Sequence, residues 1–182
     1  NAAGARRRIT ILGACAWGTA VEMALAARHD VMLWARNADA MAAMAASGEN
    51  SYLPGLPLQL QLRISADFDA AVAHASGEHG LLIAACPVAG LRPMLQQLKD
   101  QLKDRAIGNL VWLCKGFEGG TGLLPHQIVQ EVLGDKIPGG ALSGPSFAQE
   151  VARGLPCALT IPSHCAKLRS CAVTALHAGR FR

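Results

Sequence analysis

Ile9-Thr10-Ile11-Leu12-Gly13-Ala14-Cys15-Ala16-Trp17-Gly18 is the stretch whose reading decides the fold. Its first four residues are a short run with two β-branched isoleucines, ended by a glycine, and read as a buried strand. After Gly18 the texture changes. Residues 19–28 are rich in alanine and leucine, lack proline and glycine, and read as a helix. A strand, a tight glycine turn and a helix start together form a dinucleotide-binding opening. The turn aims backbone N–H groups and the positive end of the helix dipole at a pyrophosphate. The fingerprint for such a turn is Gly-x-Gly-x-x-Gly. This chain supplies Gly13 and Gly18 but has Cys15 at the middle glycine. That match is weak alone, so the rest of the chain has to support it.

Working outward, residues 30–36 read as a second strand that ends in Arg36 with no acid. At this point of a Rossmann unit a carboxylate holds a ribose 2′-hydroxyl, whereas an arginine accommodates a 2′-phosphate. Arg36 therefore favours NADP, or tolerance of NADP and NAD, over strict NAD use; a surface arginine is the plainer alternative. Residues 38–47 read as an alanine-rich helix with Met41 and Met44 as core filler, and 48–57 as a Gly/Pro-punctuated loop. Residues 58–65 alternate apolar and polar, as a half-buried strand does, and Asp67 can cap a helix over 68–75. Continuous apolar runs at 80–85 and 109–114 read as parallel strands buried on both faces. Helices follow over 88–102 and 124–133. A short strand at 141–142, a helix over 147–153, a strand at 157–161 and a helix over 167–178 complete the order. Strands alternating with helices predict an α/β fold, a Rossmann-like, doubly wound and mainly parallel sheet in three αβα layers. The punctuated strand ends then converge on one crevice beyond the carboxyl edge.

At 182 residues, 51% hydrophobic and 16% charged, the chain suits one well-buried domain and excludes disorder. Its net charge of +4 and the lone Arg6-Arg7-Arg8 run, without interleaved aromatics, argue against nucleic acid as a partner. The arginine run reads as a solvated lead-in. Residues 1–7 read as an N-terminal extension, whose Asn1 and Ala2 fit a cloning scar. No apolar run approaches the roughly 20 residues of a membrane span, and no signal peptide is visible. The six cysteines (Cys15, Cys86, Cys114, Cys157, Cys165 and Cys171) form no Cys-x-x-Cys pair. They read as reduced, mostly buried thiols of a cytoplasmic protein, with no metal-ligand spacing.

With these residues in view the chain resembles the NAD(P)-binding N-terminal domain of bacterial NAD(P)-dependent glycerol-3-phosphate dehydrogenases. The resemblance spans nearly everything from Arg8 to Arg182. It rests on Gly-Ala-Cys-Ala-Trp-Gly-Thr-Ala (13–20), Leu-Trp-Ala-Arg (33–36), Tyr-Leu-Pro (52–54) and Cys-Pro (86–87). The more specific motifs are Lys-Gly-Phe-Glu (115–118) and Leu-Ser-Gly-Pro-Ser-Phe-Ala-Gln-Glu-Val (142–151). The resemblance implies an oxidoreductase of phospholipid synthesis that interconverts dihydroxyacetone phosphate and sn-glycerol 3-phosphate by hydride transfer. It implies cofactor contacts at Gly13, Cys15, Ala16, Trp17, Gly18, Arg36, Lys115 and Ala148, and substrate contacts at Lys115, Gly144 and Ser146. It also implies a homodimeric full-length enzyme. The family's acid–base lysine belongs to a second, helical domain, expected beyond Arg182, so the catalytic residue is not assigned and the chain alone is expected to be inactive.

Lys115 has a chemical rationale of its own. A lysine at the end of a buried strand projects an ammonium into the crevice mouth, where it can neutralise a phosphate or polarise a developing alkoxide. Pointing at solvent is the alternative. Ser143-Gly144-Pro145-Ser146 can be a turn and helix cap, an anion holder, or both. Cys15 departs from the family's glycine. Its side chain either crowds the pyrophosphate, the more so as a thiolate, or rotates away. Two further functions compete: an NADP-dependent reductase of another hydroxy acid, and a dinucleotide sensor without turnover.

Overall fold

The computed structural model describes residues 5–58, 62–143, 148–154 and 165–176. Along the chain run β1 (Arg8–Leu12), α1 (Ala16–Leu25), β2 (Asp30–Trp34), α2 (Ala38–Ser47), β3 (Arg63–Ser65), α3 (Phe68–His74) and β4 (Leu81–Ala84). After these come α4 (Val88–Gln101), β5 (Leu110–Trp112), α5 (Pro125–Leu133), β6 (Gly139–Ala141), α6 (Ala148–Ala152) and α7 (Ala166–Leu176). The strands form one sheet in the order β3-β2-β1-β4-β5-β6, and every pairing is parallel.

The two helical layers follow from strand periodicity. In β4, Leu81 and Ile83 point into one apolar cluster and Leu82 and Ala84 into another, and all four are buried. A strand that is apolar on both faces is stable only when both are covered, which is why this run reads as continuous. In β1, Ile9 and Ile11 join the first cluster and Leu12 the second. The hydroxyl of Thr10, fully buried, donates to the Ala71 carbonyl at 2.7 Å, so the polar group on that face has a partner. The first cluster takes residues of α1, α2, α6 and α7; the second takes residues of α3, α4 and α5. This is the expected three-layer Rossmann arrangement.

Helix ends follow the local chemistry. Asn37 caps α2 by accepting from the Ala40 N–H at 3.0 Å, and Gly48 closes it in the left-handed region. Asp67 caps α3, accepting from the Ala70 N–H at 3.2 Å. Three expectations need correction. The first helix begins at Ala16 and not after Gly18, because Cys15 caps it and the glycine enters its first turn. The strand expected over 58–65 is formed over Arg63–Ser65, an edge strand too short to show the alternation; Leu58 is irregular and residues 59–61 lie outside those described. The arginine run is solvated only in part: Arg6 and Arg8 are exposed, whereas Arg7 is half-buried. Arg7 receives the Asp30 N–H and gives its own to His29 Nδ1, while its guanidinium reaches the His79 carbonyl and Cys171 Sγ. The strand expected at 157–161 falls outside the described residues. No described helix is long and apolar enough to cross a membrane.

Candidate functional site

Strand order reverses direction between β1 and β4, and in open parallel sheets a ligand lies beyond the carboxyl ends at that switch. Here β1 runs through Gly13, Ala14 and Cys15 directly into α1. Gly13 has φ +126, which side-chain-bearing residues rarely adopt, and a Cβ on it would lie 2.7 Å from the backbone of Ala85. A Cβ on Gly18 would lie 2.3 Å from the Gly13 carbonyl and 2.9 Å from Ala85 Cβ. Both glycines are therefore required by close approach of the turn, the start of α1 and the end of β4.

The middle position is different. Cys15 has φ −70 and ψ 171, an extended conformation open to any residue. Its thiol donates to the Ala85 carbonyl at 2.8 Å, and its sulfur accepts from the Gly18 N–H at 3.4 Å. The side chain thus folds beneath the turn, ties α1 to β4 and occupies one N–H of the first turn. The N–H groups of Ala16 and Trp17, at the start of α1, have no hydrogen-bond partner among the described residues. Of the two arrangements open for Cys15, the geometry has the one turned away. Cys15→Gly is accordingly expected to leave dinucleotide affinity within about twofold and to lower stability by about 1 kcal/mol, through loss of the cap and the Ala85 hydrogen bond. Calorimetric titration and urea unfolding of the variant check both.

Asn50 supports the turn from outside, and the sequence reading did not single it out. It is buried at 1% exposure, and its amide donates to the Ala14 carbonyl at 3.0 Å and to Thr19 Oγ1 at 2.5 Å. Its own carbonyl accepts the Tyr52 N–H at 3.0 Å, so the loop after α2 is fastened over the glycine turn. A polar residue in a loop of glycine and proline gives no sequence signal for this.

The other expected site residues lie along the same edge. Arg36 stands two residues beyond β2, exposed, with no partner for its guanidinium among the described residues. Lys115 stands beyond β5, exposed, on a loop whose base is fixed. There Arg92 of α4 forms a two-bond ion pair with Glu118, 2.8 Å on each arm, and also reaches Glu131 at 2.6 Å. The guanidinium, helped by the Thr121 hydroxyl, pulls the Glu118 carboxyl down to about 2. Glu118 also exchanges backbone hydrogen bonds with Leu123 and Gly122. Arg92 was not foreseen, and nothing in the sequence reading gave Glu118 a partner. Ala148 opens α6, which packs on α1, and touches the same apolar cluster as Ala16 and Trp17. Gly144 and Ser146 lie outside the described residues. The turn residues, Ala148, Arg36 and Lys115 are thus placed along one sheet edge, with β2 and β5 flanking the central pair.

The cysteine reading also needs revision. Of the described cysteines only Cys171 is buried; Cys15, Cys86, Cys114 and Cys165 are half-buried. Cys86 and Cys114 fall just past the ends of β4 and β5 and pack only in part against the second apolar cluster. A recess of about 1040 Å³ lies away from the switch point, between α5 and β6, lined by Trp112, Leu123, His126 and Ile137 among others.

Comparison with known proteins agrees with this geometry. A family model described as the NAD-dependent glycerol-3-phosphate dehydrogenase N-terminus matches residues 8–169. The glycerol-3-phosphate dehydrogenase (NAD(P)+) of Paucimonas lemoignei is 60% identical over 176 residues, covering 96% of this chain and 51% of that protein. The protein of the same name from Herminiimonas arsenicoxydans is 59% identical over 175 residues, with coverages of 96% and 51%. The chain thus spans about half the length of the curated relatives it matches. Among solved structures, glycerol-3-phosphate dehydrogenase from Coxiella burnetii superposes with a TM-score of 0.85 at 31% identity, covering 97% of this chain and 53% of that one. The Plasmodium falciparum enzyme, 22% identical with a TM-score of 0.79 over 97% of this chain and 51% of its own, shares the fold. A doubly wound sheet, a Gly13–Gly18 turn at its switch point and a family match over residues 8–169 lead to one conclusion: the chain belongs to the family of NAD-dependent glycerol-3-phosphate dehydrogenase N-terminal domains.

Proposed function

We propose that this chain binds NAD(P) across the β1–β4 switch point and forms the cofactor half of an enzyme interconverting sn-glycerol 3-phosphate and dihydroxyacetone phosphate. The observation that carries the reading is the turn itself, with two glycines closed to any Cβ and two N–H groups of the first turn left without a partner among the described residues. That cradle fits a pyrophosphate, and no side chain of the turn fills it, since Cys15 is folded beneath. Ala16 and Trp17 donate to the pyrophosphate, with Gly13 and Gly18 giving it room. Arg36 reaches the adenosine ribose beyond β2, and Ala148 lines the opposite wall. Lys115 holds its ammonium at the β5 end, where it neutralises a phosphorylated substrate or an alkoxide developing at C2. Gly144 and Ser146 complete the substrate contacts, and the acid–base lysine belongs to the family's helical domain. The nicotinamide, when bound, supplies or accepts the hydride. The whole enzyme acts as a cytoplasmic homodimer on a small phosphorylated substrate.

Cofactor choice tests this reading. With Arg36 at the discriminating position, NADPH is expected to bind the chain at least as tightly as NADH, and Arg36→Asp to reverse the order. Calorimetric titration of both cofactors into both proteins measures it, and a wild-type preference for NADH counts against the role of Arg36.

A further inference from the structure

Two thiols meet at the edge of the crevice. The pairing of β4 with β5 sets Ala84 against Trp112, and the Leu113 N–H continues the ladder to the Ala84 carbonyl. Two residues further on, on the same face of each strand, stand Cys86 and Cys114. Their sulfurs are 4.0 Å apart and both residues are half-buried. Their surroundings differ. Cys86 immediately precedes Pro87, the N-cap of the 14-residue helix α4, and no side chain caps that helix. The helix dipole and its open N–H groups favour negative charge beside its first turn. Cys114 follows β5 and has no such helix behind it. The S–H of Cys114 can donate to the Cys86 sulfur, and this hydrogen bond draws the Cys86 thiol below its ordinary range, while the same contact and burial push Cys114 up. The remaining described thiols are otherwise engaged or covered. Cys15 donates to the Ala85 carbonyl, and buried Cys171 receives the Arg7 guanidinium.

We infer that Cys86 and Cys114 are a peroxide-responsive dithiol, with Cys86 as the attacking and Cys114 as the resolving sulfur. The Cys86 thiolate attacks the terminal oxygen of a hydroperoxide. The S–O bond forms as the O–O bond breaks, and the leaving oxygen takes a proton and departs as an alcohol, or as water when the oxidant is hydrogen peroxide. Cys114 then gives up its proton and attacks the Cys86 sulfur; the S–S bond forms, the S–O bond breaks and water leaves. Two thiols lose two electrons and the peroxide gains them. A dithiol reductant reverses the change. Closing the contact to the roughly 2.05 Å of a disulfide is within the reach of side-chain rotation, since paired strands roughly 4.8 Å apart already stand inside the Cα range that a disulfide spans. Lys115 is the next residue, so the pair stands where it can register oxidation at the proposed site. The inference rests on the sulfur geometry and not on the dinucleotide reading.

The test treats the reduced 182-residue chain with hydrogen peroxide and maps its peptides without reduction. The expected product is a Cys86–Cys114 cross-linked peptide lacking two hydrogens, restored by a dithiol. Cys114→Ser is expected to stop at a Cys86 sulfenic acid, trapped by dimedone. Cys86→Ser is expected to slow oxidation of Cys114 by about tenfold or more. Circular dichroism establishes that both variants fold, and the wild-type map does not depend on either. Peroxide consumed at Cys15, Cys157 or Cys165 with no Cys86–Cys114 peptide overturns the inference, as does trapping of the sulfenic acid at Cys114 instead of Cys86.

Discussion

Replacing Glu22 by leucine is expected to raise the stability of the chain markedly at alkaline pH and only slightly at acid pH. Glu22 lies within α1, fully buried, on a helix packed against α6 and β2, and neither carboxylate oxygen has a hydrogen-bond partner among the described residues. Burial alone pushes its pKa up to about 8, from 4.5 for the free side chain. The folded chain therefore holds this proton more tightly than the unfolded chain. Stability is flat below the unfolded value, falls as pH rises from about 4.5 to about 8, and is flat again above, where charge has been forced into an apolar layer. At about 1.4 kcal/mol per pH unit the span amounts to something on the order of 5 kcal/mol, a large part of a domain's net stability. Urea unfolding of both proteins at pH 5 and pH 9 measures it. The advantage of Glu22→Leu should grow by several kcal/mol between the two. Equal advantages at both pH values would mean that the carboxyl finds a charge-stabilising partner.

The second large effect concerns Gly18. Gly18→Ala puts a methyl group 2.3 Å from the Gly13 carbonyl and 2.9 Å from Ala85 Cβ, so the turn must move away from the end of β4. Overpacking of this kind commonly costs about 1–3 kcal/mol, and here the displaced atoms are the backbone of the cradle itself. Loss of dinucleotide affinity by about thirtyfold or more is expected, along with a lower urea midpoint. A folded Gly18→Ala chain that binds NADPH as the wild type does would show that the turn is not the binding element.

The fold was legible because the buried strands announce themselves. The run at Leu81–Ala84 is apolar on both faces, and that at Ile9–Leu12 is apolar but for Thr10, a pattern that only a sheet covered on both sides stabilises. The capping residues Asn37 and Asp67 likewise act within a few residues of themselves, so local sequence contains their signal. The same locality explains the errors. Reading Gly18 as the end of a turn ignored Cys15 as a cap, a role sulfur fills less often than oxygen. Glu22 looked like an ordinary helix residue because its burial comes from elements far along the chain. Asn50 and Arg92 support the site through partners 36 and 26 residues away, a reach that periodicity and spacing cannot show. Arg36 and Lys115 were found through their place at strand ends, and a strand-end position fixes direction along the sheet without fixing a contact.

The central claim is that the crevice above β1 and β4 is the dinucleotide site. Titration of the isotopically labelled chain with NADPH, followed through its backbone amide resonances, tests that claim most directly. The account predicts one saturable site, with the largest shifts at the N–H groups of Ala16 and Trp17, further shifts at Arg36 and Lys115, and little change in the recess between α5 and β6. Shifts centred on that recess, or none up to millimolar NADPH, would contradict it.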